Sequence, residues 1–121
     1  MLVEMQNVRQ IEGEGFRRWL TDENFDLILW YSEGQILGFQ LCYDKKTQEK
    51  ALTWRAPSSY SHSVVDSGEV PNTIKQSPML TDGGRFDKER ILAEFLAAAG
   101  PDIEPHIIKL VQTELEAYPE D

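Results

Sequence analysis

Cysteine occurs once in this chain and histidine twice, and twelve bases face twenty-one acids. Each scarcity excludes something. The lone Cys42 permits no intramolecular disulfide, which fits a reducing compartment. One cysteine and two histidines do not make a four-ligand Cys/His zinc site, so no metal is expected. GxGxxG, Walker, GxSxG, HExxH and CxxC motifs are all missing, and no cofactor is expected either. No apolar run approaches the ~18–20 residues of a membrane span. The opening "MLVEMQNVRQIEGEG" carries acids and no continuous apolar core, unlike a secretory signal. The expectation is a cytoplasmic protein.

Positive charge is the scarcest property. A formal net charge of -9 is the wrong sign for nucleic acid or an anionic membrane, since phosphate neutralisation supplies most of the affinity there. The excess is uneven. Residues 81–121 hold ten acids against four bases, and residues 1–80 eleven against eight. This acidity serves solubility, and it also suits a surface that meets a basic protein partner.

With 121 residues and 40% apolar content, one domain over 1–121 is the expectation. A chain of this size buries roughly two-thirds of its unfolded surface without needing staples. The N-terminal segment is ambiguous: Leu2, Met5, Val8 and Ile11 recur every three residues, yet "VRQI" reads equally well as strand. From Phe16 to Arg55 the pattern is an antiparallel meander: "FRRWLT", then the hairpin "FDLILWYSEGQILGFQLCYD", then a strand ending in Trp54 and Arg55.

The central hairpin can be registered by matching side chains. A two-residue turn at Glu33-Gly34 sets Leu27 against Gln40, a poor match. A three-residue loop, Ser32-Glu33-Gly34 with Gly34 left-handed, sets Leu29 against Leu37, Leu27 against Phe39 and Phe25 against Leu41. The bulged loop is therefore expected. Phe39 should then face Trp54, and Leu41 face Leu52. "TDEN" makes the first turn, with Asn24 suited to a positive φ. "YSHSVV" and "TIKQSPML" complete the strands, which run over about 16–80. Two helices follow at about 87–99 and 103–118, with Asp87 and Asp102 as N-cap candidates. Ile91, Leu92, Phe95, Leu96 and Ala99 form the first apolar stripe. Strands first and helices last implies α+β: about five or six antiparallel strands with two C-terminal helices packed on one face.

In that register the second face of the sheet carries Asp26, Ile28, Trp30, Ile36, Gly38, Gln40 and Cys42, with Thr53 and Arg55 beside them. Trp19 and Arg17 join if the first hairpin allows. A solvated face is ordinarily rich in Thr, Lys, Glu and Ser, and this one is mixed. Three coverings compete: the chain's own 1–11 or 60–80 segments, a second copy in a homodimer, or another molecule in a shallow groove above Gly38. Trp19, Trp30, Gln40 and Arg55 are the candidate binding residues, because Trp and Arg dominate interface hot spots.

"SSYSHSVVDSGE" is the polar cluster with catalytic residue types. Ser61 and His62 are adjacent on a strand and point to opposite faces. Tyr60 and Asp66 share the side of His62, with Asp66 ~13 Å away along an unbent strand. His106 reads as a helix-flank residue and Cys42 as a small buried hydrophobe. The leading function is thus a binding module without catalysis of its own. The rival is a small enzyme or ligand-binding protein using Tyr60, His62 and Asp66.

Overall fold

The computed structural model of the protein describes residues 1–10, 15–64 and 86–118. Six strands occur among them: β1 (Val3–Glu4), β2 (Phe16–Thr21), β3 (Asp26–Ser32), β4 (Gln35–Tyr43), β5 (Lys50–Arg55) and β6 (Ser59–Val64). They form one antiparallel sheet in sequence order. Two helices follow, α1 (Lys88–Ala98) and α2 (Pro105–Ala117). The architecture is α+β. The expected strand "TIKQSPML" lies outside the described residues.

Alternation along β3 builds the core. Phe25, Leu27 and Leu29 are buried, whereas Asp26, Ile28 and Trp30 between them are half-buried. Phe39, Leu41 and Tyr43 continue the buried side on β4, and Leu52 and Trp54 on β5. The helices contribute Ile91, Phe95, Ile107, Val111 and Leu115 to the same cluster. Phe95 meets Phe25 edge-on at 6.2 Å between centroids. Leu96, expected in the stripe of α1, is instead 40% exposed.

The central hairpin corrects the expected register. Its turn is the two-residue one, Glu33-Gly34, with φ of 53° and 81°, the all-positive pattern of a type I′ turn. Ser32 then pairs with Gln35 and Tyr31 with Ile36. The mismatch that argued against this turn is repaired one residue later: Leu37 is extruded as a β-bulge, so Trp30 pairs with Gly38, Leu29 with Phe39 and Leu27 with Leu41. The bulge also exchanges two side chains. Leu37, expected in the core, is 44% exposed. Ile36, expected on the second face, packs against the core. The Leu37 carbonyl accepts a hydrogen bond from Ala56 N at 2.8 Å, so the bulge is stitched to the strand after it. Downstream, Phe39 opposite Trp54 and Leu41 opposite Leu52 are as expected.

Two smaller expectations also change. Among the described non-glycine residues positive φ falls on Asn7, Glu33 and Asp44, not on Asn24. The first turn is held instead by the Asp22 carboxylate, which accepts from the amides of Asn24 and Phe25, both at 2.8 Å. Asp87 caps α1 as expected, accepting from Arg90 N. Asp102 does not cap α2. That helix starts two residues later, with Glu104 at the cap and Pro105 in its first turn, while Asp102 accepts from Glu4 N at 3.1 Å.

The N-terminal segment resolves as an edge strand. Val3 and Glu4 pair with Thr21 and Leu20, Leu2 is fully buried, and Leu2 N donates to Ala98 O at 2.9 Å. Residues 2–5 thus lengthen the sheet and do not lie across its second face, and 59–64 do the same at the other edge.

Candidate functional site: the sheet face opposite the described helices

Both described helices pack on the face that carries Leu27, Leu29, Phe39 and Leu41. The register arranges the opposite face into rows. One row runs Arg17, Trp30, Gly38, Arg55; the next Trp19, Ile28, Gln40, Thr53, Ser61; the third Thr21, Asp26, Cys42, Ala51, Ser63. All four expected binding residues, Trp19, Trp30, Gln40 and Arg55, therefore fall on one surface, in two adjacent rows. Trp19, Trp30 and Gln40 are half-buried and Arg55 is exposed.

Local physics fixes this surface. The Arg55 guanidinium lies over the Trp30 ring, 4.8 Å from its centroid, a cation–π contact that orients both side chains. Gly38 lies between them in the row, where the sequence suggested open room above the sheet. A Cβ at Gly38 would instead collide with the Trp54 carbonyl and come within 3.2 Å of Arg55 Cα. Glycine here lets β5 approach closely. Two donors in the rows, Arg17 Nε and Trp19 Nε1, are buried without a hydrogen-bond partner among the described residues. In the third row Lys45 pairs with Asp26 at 3.0 Å. Cys42 is 7% exposed, and burial, with Glu49 and Asp26 nearby, pushes its thiol up to about 12. It packs as the small hydrophobe expected.

The Tyr60-His62 cluster is placed on the helix side. His62 is 9% exposed. Its ring stacks on Tyr43, with planes 7° apart, and meets Phe86 and Tyr118 edge-on. The Tyr43 hydroxyl and His62 Nε2 are hydrogen-bonded. Tyr60 donates to Glu114 at 2.7 Å, and burial together with that bond holds its hydroxyl up at about 12. Tyr60 and His62 do share a face, but each is turned to a different partner. Ser61 lies on the opposite face and is exposed. Asp66 lies outside the described residues.

One constellation was not singled out from sequence. Arg18, on the helix side of β2 and 14% exposed at its side chain, spends all five of its N–H donors. It gives two bonds to Glu4, at 2.7 and 2.8 Å, two to Glu104, at 2.8 and 2.9 Å, and one to the Tyr31 hydroxyl at 3.1 Å. The signal was the doublet Arg17-Arg18: on a strand one of the two must face the core, and a charge there requires carboxylate partners. Beside this clamp is a cleft of about 570 Å³ lined by Gly15, Phe16, Tyr31, the hairpin turn, Glu104 and His106.

Among the described residues no group of histidine, cysteine and carboxylate side chains is placed to hold a metal, and no helix is long and apolar enough to cross a membrane. No family model matches the chain, and no curated protein or solved structure matches it.

Proposed function

We propose that this chain is an acidic binding module, without catalysis of its own, that docks a protein partner on the face of its sheet opposite the two described helices. The observation that carries the reading is the row Arg17, Trp30, Gly38, Arg55 beside Trp19 and Ile28. Large aromatic and guanidinium groups lie together there, with the described helices on the other side. Trp and Arg anchors of this kind carry most of the energy in protein interfaces. The net charge of -9 favours a basic partner, accelerating encounter at low salt more than it tightens the complex.

The rival enzymatic reading has less support. Tyr60 and His62 engage Glu114 and Tyr43, and an aromatic cluster surrounds the imidazole. A general base needs reach to a substrate proton.

The test compares wild type with Trp30→Ala and Arg55→Ala in affinity capture at low salt, with circular dichroism confirming that both variants fold. A basic protein retained by wild type and lost from both variants is expected. The same recovery from all three, or none from any, overturns the reading. Sedimentation of wild type at two concentrations adds the remaining outcome: a dimer that Trp30→Ala dissociates would assign the face to a second copy.

A further inference from the structure

The cleft beside Arg18 is on the opposite side of the sheet from Trp30, and its wall chemistry is one-sided. Phe16 and Tyr31 form an aromatic corner, with centroids 6.4 Å apart and planes inclined by 58°. Phe16 is 56% exposed, a large ring left open at the mouth. Gly15 keeps the chain tight against β3: its φ is 77°, and a Cβ there would collide with the Tyr31 carbonyl. The corner is therefore anchored on backbone.

The charged groups then select the ligand. Arg18 is the cation of the wall, and its five donors are all committed to Glu4, Glu104 and Tyr31. An anion entering the cleft would have to break those bonds. Two carboxylates hold that one guanidinium, Glu4 and Glu104, and of the clamp pair Glu104 lines the cleft together with Glu33 of the turn. The Arg18 bonds and charge hold Glu104 below the usual carboxylate range, so it stays ionised. What the wall still offers is acceptors, net negative charge and two ring systems. That combination recognises an organic cation, and about 570 Å³ lies within the range of small-ligand sites.

We propose that this cleft takes an arginine side chain from a partner chain, its guanidinium over the Phe16-Tyr31 corner and facing Glu104 and Glu33. The planar guanidinium suits both ring stacking and a carboxylate fork better than an ammonium does. The site is independent of the face opposite the described helices.

The probe is N-acetyl-arginine amide, titrated into isotope-labelled protein at low salt and followed by amide NMR shifts. Saturable shifts at Phe16, Tyr31, Gly34 and His106 are expected at millimolar concentration, with none from N-acetyl-aspartate amide. Phe16→Ala, an exposed position, should weaken binding about fivefold or more through loss of the ring contact. Glu33→Gln should weaken it less. Absence of saturable shifts, equal shifts from the aspartate compound, or full binding by Phe16→Ala overturns the proposal. Tighter binding of spermidine than of the arginine compound would reassign the cleft to a free polyamine and also overturn it. Shifts lost in Trp30→Ala and kept in Phe16→Ala would move the site to the face of Trp30, sinking this inference while leaving the binding reading intact.

Discussion

The two faces of the sheet are built from the same six strands and behave as different materials. The helix side is a packed interior: Leu27, Leu29, Phe39 and Leu41 are fully buried beneath Phe95, Ile107 and Val111. Tyr60 with Glu114 and Arg18 with its two carboxylates are paired within the fold on that side, while the buried Trp54 Nε1 has no partner among the described residues. The side opposite the described helices is half-buried, carries two donors without partners among the described residues, and has a guanidinium stacked on an indole. On the first side the large side chains of the central strands have an intramolecular reason to be there. On the second, Trp19 and Trp30 exceed what a solvated sheet face requires, and the excess is what a partner would use.

The widest gap between the faces should appear on truncating one large aromatic from each. Phe39→Ala removes a fully buried ring and is expected to cost about 3–5 kcal/mol. Trp30→Ala removes a larger but half-buried ring, with an expected cost of about 1–2 kcal/mol. Urea denaturation of the pair checks this. A Trp30→Ala cost equal to that of Phe39→Ala would mean that Trp30 belongs to the interior, and the contrast between the faces would collapse.

A smaller effect sharpens the same contrast. Gly38→Ala adds one methyl group on the Trp30 side of the sheet, where the Trp54 carbonyl and the backbone of Arg55 leave no space. The expected cost is about 1–3 kcal/mol, concentrated at the β4–β5 pairing and visible as faster amide exchange there. A neutral substitution would mean that Gly38 marks room above the sheet after all.

How far the sequence revealed this depended on whether a feature was set by period or by local backbone choice. The meander, the pairing of Phe39 with Trp54 and the Asp87 cap followed from alternation and capping chemistry, signals written in adjacent residues. The hairpin register did not. Side-chain matching was satisfied equally well by a long loop and by a tight turn with a bulge downstream, and the structure takes the second. A bulge at Leu37 leaves no mark of its own in sequence, because the extruded residue is an ordinary leucine. The four expected binding residues nevertheless stayed on one face, because the bulge lies before Gly38 and leaves the parity of Gln40, Thr53 and Arg55 intact. The Arg18 clamp was harder still. Its partners Glu4 and Glu104 are 14 and 86 residues away, and nothing local announces them.

That clamp supplies the smallest effect, one confined to the helix side. Arg18 hydrogen bonding and charge hold the Glu104 carboxyl below its ordinary value. A carboxylate depressed in the folded state contributes stability that is present above its unfolded pKa and is lost as pH falls through its folded pKa. The Glu104 side chain is 44% exposed, so solvent screens the pair and Glu104→Gln should cost less than about 1 kcal/mol at neutral pH. That difference from wild type should shrink as the pH drops below the ordinary glutamate range of about 4.3, and added salt should narrow it further. The Trp30→Ala difference, arising from packing, should hold steady over the same acid range. Parallel urea melts of both variants at neutral and acid pH decide between these behaviours. If Glu104→Gln kept its full effect in acid, the carboxylate would matter as a shape at the start of α2 and not as the charge that Arg18 holds.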